Sequence, residues 1–171
     1  MAVASADASG GFGISRPRDT AWAMSEENVE IVRRYFELIV RLLDDYWSNP
    51  VELSEYPLID KAFDDVDPEA EWKPPYLRVA IRGKEAWLAA ISDVLDAADD
   101  WRIHLESVSD LGHGQVLVES RNAIRGRDSG VAIDQGIFTV VTVQNGKITA
   151  ISDFTERGDA LEAAGLTGSQ E

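Results

Sequence analysis

The chain has 171 residues, which fits one domain whose core can bury roughly 70% of the unfolded surface. Its 31 Asp+Glu against 16 Lys+Arg give a formal charge of −15, which excludes a broad nucleic-acid or anionic-membrane footprint, because phosphate binding rests on clustered Lys and Arg. The absence of cysteine excludes disulfides, thiolate catalysis and Cys-ligated metal centres, and no stretch approaches the roughly 18 consecutive apolar residues of a membrane span.

Residues 1–23 are mostly Ala, Gly and Ser without helical or strand period, and are expected to be a disordered tail. They lack the basic start and apolar run of a secretory signal, so a cytoplasmic location is expected. Met24 is taken as the biological start, and residues 1–23 as a mis-called extension. Ser25 serves as an N-cap, with Glu26 and Glu27 at the positive end of the helix dipole. Val29, Val32, Phe36, Ile39 and Leu43 then mark one face of a helix running to about Trp47. Residues 44–71 carry ten acidic residues against one Lys. Asn49-Pro50 breaks the chain there, and Leu58, Ile59, Ala62, Phe63 and Val66 predict a short helix ended by Asp67-Pro68. Ala70-Glu71-Trp72 predicts a short strand stopped by Pro74-Pro75.

Lys84–Ala98 has a helical stripe of Trp87, Leu88, Ile91, Val94 and Leu95. Four strands follow: one with alternating Trp101, Ile103 and Leu105, then Gln115–Arg125, Val131–Gln144 and Lys147–Glu156. Asn145-Gly146 is the strongest hairpin signal. A short helix over Asp159–Ala164 stops at Gly165, and residues 167–171 are expected to be a flexible end. Helices followed by an antiparallel meander predict an α+β domain over residues 24–166.

MSEENVEIVRRYFEL, AEWKPP, RGKEA and NGKITAISDFTERGDALEAAGL, in that order and spacing, resemble SnoaL-like proteins of the nuclear transport factor 2-like superfamily. The resemblance covers about residues 24–166. It implies a cone-shaped, curved antiparallel sheet packed against the N-terminal helices and enclosing a hydrophobic pocket. That superfamily includes polyketide cyclases, ketosteroid isomerases, limonene epoxide hydrolases and non-catalytic modules, so the fold alone does not fix an activity. The connection DDYWSNPVELSEYP is longer than the short turn usual there; it either caps the pocket mouth or is only a loop.

Strand periodicity sketches the pocket wall. If Gly126 pairs with Val131, then Arg121 stands opposite Gly136, Glu119 opposite Phe138 and Ala123 opposite Asp134. In the last strand Ile151, Asp153 and Thr155 share a face. Aligning the NGKI turn with that of ketosteroid isomerases places Asp134, Gly136, Phe138 and Asp153 on the pocket side. The opposite face would then carry Val116, Val118, Ile133, Ile137 and Val141, and an apolar outer face must be covered, which predicts a homodimer through it.

The expected catalytic residues are Asp153 first, Asp134 second, and Arg121. A carboxyl raised by an aromatic cavity serves as general acid or base, and Arg121 would polarise an anionic or carbonyl oxygen. Tyr35, Trp72, Glu119, Phe138 and Ile151 are the expected substrate contacts. Equally, Arg121 and an Asp could form an internal ion pair that only holds the fold, and Tyr35 could be a core tyrosine. The resemblance to the ketosteroid isomerases implies an oxyanion donor at Tyr35. Their base falls at Pro74 and their protonated acid at Phe138, so steroid isomerisation of that type is not expected. The Arg/Asp set loosely resembles that of epoxide hydrolases without its Tyr and Asn partners.

His104 and His113 make no metal site, and Asp65, Asp67, Glu69 and Glu71 lack the glycine and terminal glutamate of a calcium loop. No metal and no cofactor are expected. The reading is a small-molecule-binding domain, either a cofactor-independent cyclase, isomerase or hydrolase acting on a small hydrophobic carbonyl compound, or a non-catalytic binding or dimeric assembly module. An assembly module would have its pocket filled by its own aromatics.

Overall fold

The computed structural model describes residues 17–166. Of the tail expected in residues 1–23, residues 1–16 lie outside the described residues and 17–23 are helical instead; the end expected in 167–171 also lies outside them. Elements follow in the order α1 (Pro17–Ser48), a 3-10 turn (Leu53–Glu55), α2 (Pro57–Phe63), β1 (Val66–Lys73), β2 (Ile81–Arg82), α3 (Lys84–Ala97), β3 (Ala98–Gly112), β4 (Gln115–Gly126), β5 (Ala132–Gln144), β6 (Lys147–Phe154) and α4 (Arg157–Ala163). The first helix begins at Pro17, ahead of the expected cap at Ser25. Glycine is absent from residue 14 to the end of this helix, and Ala21, Ala23 and Met24 are good helix formers, so nothing breaks the helix there.

The strands form one sheet in the order β2-β1-β6-β5-β4-β3. It is mixed rather than wholly antiparallel: β1 runs parallel to β6, and every other pairing is antiparallel. The sequence showed β1 only as Ala70–Trp72, yet it begins at Val66 and passes through Pro68. A proline is tolerated in a strand where its missing N–H leaves no ladder bond unmade, and the β1–β6 register is interrupted between Val66 and Glu71. The Asn145-Gly146 hairpin has positive φ at both residues, 52° and 75°, as a type I′ turn requires. The β3–β4 connection uses the same device at His113 and Gly114, and a Cβ on Gly114 would meet the Val143 carbonyl oxygen at 2.8 Å.

α1 lies across the concave side of the sheet. Its Ile31, Val32 and Tyr35 pack with Val116, Val118, Val141, Ile148 and Ile151 from the strands and with Trp87 of α3. A second cluster joins Leu42 and Leu43 to Leu53, Tyr56 and Ile59, and to Ile91 and Leu95 of α3. The long connection after α1 is therefore core material: Leu53 and Tyr56 are buried, and none of residues 44–57 lines the main cavity. On the convex side α4 covers Leu117 and Val140 with Ala160.

Two expectations about the sheet faces are overturned. Val116, Val118 and Val141 are fully buried under α1, and Ile133 and Ile137 line the cavity, so these residues form the inner face. Of the apolar set that predicted a homodimer, Val116, Val118 and Val141 are covered by the chain's own helices, and Ile133 and Ile137 line the cavity. Arg121, Asp134, Glu119 and Phe138 lie on the outer face instead. The expected β4–β5 register is the observed one, with Arg121 opposite Gly136, Glu119 opposite Phe138 and Ala123 opposite Asp134. The difference arises one strand later. From the hairpin, Gln144 pairs with Lys147 and Val143 with Ile148, but Thr142 then pairs with Ala150. Thr149 is an extra residue, a β-bulge, and past it every residue of β6 is shifted by one. Without it Asp153 would stand opposite outward-facing Phe138; with it Asp153 stands opposite inward-facing Thr139.

Candidate functional site

The concave side of the sheet and the helices leave a cavity of about 500 Å³. α1 contributes Tyr35, Phe36 and Ile39, α3 contributes Trp87, Ile91 and Val94, and the inner faces of the strands supply the floor. Sheet period explains the floor: Ser120, Asn122 and Ile124 alternate inward from β4, and Ile133, Gln135, Ile137 and Thr139 from β5. The mouth is a tight turn over Pro74–Leu77, closed by the Leu77 N–H donating to the Pro74 carbonyl at 3.3 Å, with the Tyr76 hydroxyl accepting from the Gln135 amide at 2.7 Å.

Asp153 is the one carboxylate deep in this cavity. Its accessible part faces the cavity space and its carboxyl is removed from bulk water. Thr139, its direct cross-strand partner, donates its hydroxyl to Oδ1 at 2.6 Å. Trp72 pairs with Ile151, two residues back on the same face, so its indole reaches forward and donates Nε1–H to Oδ2 at 2.8 Å. Each oxygen keeps a free lone pair. Burial raises the Asp153 pKa above the ordinary carboxylate value, and the two hydrogen bonds partly oppose that rise. Among the described residues no Lys, Arg or His pairs with it.

Tyr35 is buried beside it. Desolvation, and then the charge of Asp153, push its phenol well above the ordinary tyrosine value, so it remains a neutral hydroxyl. It is held edge-on by Phe36 and Phe63, at centroid distances of 5.3 and 6.5 Å. A buried carboxylate with free lone pairs next to a neutral phenol can take a proton from a bound molecule and stabilise the oxygen that gains charge.

Of the residues the sequence nominated, the structure brings Asp153, Tyr35, Trp72 and Ile151 together at the cavity. Arg121, Asp134, Glu119 and Phe138 are not there. Arg121 Nε and Asp134 Oδ1 form an ion pair at 2.8 Å with both side chains more than half exposed. Glu119 accepts from Ser107 Oγ at 2.7 Å and from Arg157 Nε at 2.9 Å, and these contacts hold its pKa below the usual carboxylate value. Phe138 packs under α4. The physical reason is the Thr149 bulge, which inverts the phase of β6 relative to β5.

Sequence reasoning missed Thr139, Ser120, Asn122, Gln135, Trp101 and Tyr76. The first four alternate with the nominated residues and were legible once the phase was known. The acidic run at 65–71 is spent on contacts near β1: Arg34 pairs with Asp65 at 2.6 Å, Arg82 pairs with Glu71, and Asp67 accepts the Glu69 N–H at 2.8 Å. Among the described residues no helix is long and apolar enough to cross a membrane, and no group of three or more His, Asp or Glu is placed to hold a metal.

No family model matches the chain, and no curated protein matches it in sequence. Solved structures do share its fold. An NTF2-like protein of unknown function from Burkholderia pseudomallei superposes with a TM-score of 0.60 at 15% identity, covering 80% of this chain and 95% of that one. A protein described as a SnoaL-like polyketide cyclase from Jannaschia gives 0.54 at 18% identity, covering 81% and 94%. A ketosteroid isomerase-like fold from Catenulispora acidiphila, in complex with trimethylamine, gives 0.53 at 11% identity, covering 75% and 92%. The chain thus has the α+β cone-like fold of the nuclear transport factor 2-like and SnoaL-like proteins, as its sequence motifs implied.

Proposed function

We propose that the cavity binds a small, largely apolar carbonyl compound and that Asp153 acts on it as a cofactor-independent general base and acid. The observation that carries this reading is the buried Asp153 carboxyl at the cavity wall, held by Thr139 and Trp72 with no cation paired to it among the described residues. In the step proposed, a carboxylate oxygen of Asp153 removes a proton from the carbon next to the carbonyl. The C–H electron pair becomes the enolate double bond, and the carbonyl pair moves onto oxygen. The Tyr35 hydroxyl donates a hydrogen bond to that oxygen. Returning the proton from Asp153 to the same carbon gives exchange; returning it elsewhere gives isomerisation. Arg121 and Asp134 have no part, because both lie outside the cavity.

The test is proton exchange at the α-carbon of β-tetralone in D2O, followed by NMR. The wild-type protein is expected to accelerate exchange over buffer, and Asp153→Asn to lower that acceleration by about 10²–10⁴-fold. Acceleration unchanged in Asp153→Asn would end the candidacy of Asp153.

Binding without turnover is a second reading. It is favoured by the cavity's charge, since the lining carries Asp93 and Asp153 but no Lys, Arg or His. Such a wall repels anions and accepts neutral or cationic molecules, and the Catenulispora neighbour holds an amine. Retained binding with no exchange in the wild type would select this reading. An assembly role is disfavoured, because the cavity is open rather than filled by its own aromatic rings.

A further inference from the structure

The cavity has a second polar end that the proton-transfer chemistry does not use. Trp101 of β3 stands opposite Ile124, and its indole Nε1–H donates to Asn122 Oδ1 at 3.0 Å. An indole N–H is a donor only, so the atom it meets must be the amide oxygen. This fixes which way the Asn122 side chain points: Oδ1 toward Trp101, Nδ2 toward the Ser120 hydroxyl at 3.3 Å. The amide NH2 has two hydrogens, and Ser120 takes one. Asn122 lines the cavity, so the other hydrogen is a donor available to an occupant.

The separation of the two ends follows from the register. Asn122 pairs with Gln135, and Asp153 pairs with Thr139. The ends therefore stand four residues apart along β5, about 13 Å, and two strands apart across the sheet, about 10 Å. The diagonal is thus about 16 Å, a hydrogen bond of about 2.9 Å at each end leaves about 10 Å, and the inward lean of side chains on a concave face brings the two polar atoms of a ligand to on the order of 8–10 Å apart. Between them on β5 stands Ile137, an apolar residue of the cavity wall, while Ile151 and Trp72 lie on the far side of Asp153.

We infer that Asn122 is a specificity-determining residue, and that the ligand is an uncharged molecule of about two fused rings that is polar at both ends. Its carbonyl faces Asp153 and Tyr35, and a hydrogen-bond acceptor such as an ether or second carbonyl oxygen takes the free N–H of Asn122. Trp101 is the positioning residue that holds the amide in its donating orientation. This assignment deepens the proposed carbonyl-binding role and rests on it for the end at which the carbonyl sits. The affinity comparison below stands apart from catalysis.

Calorimetry should compare β-tetralone with its 6-methoxy derivative, whose added oxygen only accepts. The wild-type protein is expected to bind the methoxy compound roughly tenfold more tightly, the equivalent of one net hydrogen bond of about 1.4 kcal/mol. Asn122→Ala should abolish that preference while leaving β-tetralone affinity within about twofold. Because Asn122→Ala strips Trp101 of its acceptor, Asn122→Asp is the second variant. It keeps an acceptor for the indole but presents oxygen where the amide presents N–H, and should reverse the preference. Trp101→Phe frees the amide to rotate and should weaken the preference through KM of the exchange reaction, with kcat unchanged.

Equal wild-type affinity for the two compounds, or a preference that survives Asn122→Ala and Asn122→Asp, overturns the assignment. So does failure of either compound to bind. A preference lost in both variants alongside exchange unaffected by Asp153→Asn would support Asn122 while removing the catalytic reading.

Discussion

The two faces of one sheet treat the same side chain in opposite ways. Asp153 on the inner face is desolvated, meets two neutral donors and has no cation. Asp134 on the outer face sits in water with Arg121 at 2.8 Å. An exposed ion pair of this kind is worth at most about 1 kcal/mol, because solvent screens the attraction and two long side chains lose freedom. The inner carboxyl gains proton affinity from its burial; the outer one makes an exposed ion pair. What separates them is strand phase, not residue type.

Deleting Thr149 attacks the comparison most directly. Without the bulge, Ile151 and Asp153 would turn to the outer face and uncover the core between α1 and the sheet. Loss of more than about 4–5 kcal/mol is expected, read as loss of a cooperative thermal transition. Retained cooperativity would mean that the phase of β6 is set elsewhere. Next in size is Trp87→Ala. This side chain is fully buried, joins both Phe63 and Trp72, and donates to the Ile81 carbonyl at 2.9 Å. A loss of about 3–5 kcal/mol is expected by urea denaturation. No exposed outer-face residue should approach that cost.

A smaller, pH-dependent effect separates the two aspartates. The folded pKa of Asp153 is raised, so its contribution is fully present below the unfolded carboxyl pKa of about 3.9 and is lost as pH rises through the folded value. Wild type should therefore lose stability relative to Asp153→Asn on going from about pH 4 to pH 7, measured as the gap between urea midpoints. A wild-type midpoint that does not fall relative to that of Asp153→Asn over that range would contradict the burial argument. The smallest effect is expected for Arg121→Ala and Asp134→Ala. Each should cost less than about 1 kcal/mol and leave tetralone exchange unchanged.

These contrasts also show what the residues themselves made legible. Helix stripes, the Asn145-Gly146 turn and the β4–β5 register follow from local rules of period and turn chemistry, and they stand as expected. The sheet order and the parallel β1–β6 pair depend on contacts distant in sequence. Asp153, Tyr35 and Trp72 were legible because each sits on an element whose position was clear. Asn122, Ser120 and Thr139 were hidden by one unpaired threonine. Nothing in LysIleThrAlaIle marks Thr149 as extra, since β-branched residues suit a bulge and a regular strand alike. The mouth was hidden for another reason: Pro74-Pro75 was read only as a stop, though it builds a wall.

That wall has a kinetic consequence. Prolines restrict φ before any ligand arrives, the Leu77–Pro74 hydrogen bond closes the turn, and Tyr76 is tied to Gln135. The aperture is thereby set in the empty protein, and a ligand has little rim to order on entry. Ligand entry should then be governed by cross-section: molecules narrower than the opening enter at similar rates, broader ones are refused, and differences in affinity among those admitted reside in how long they stay.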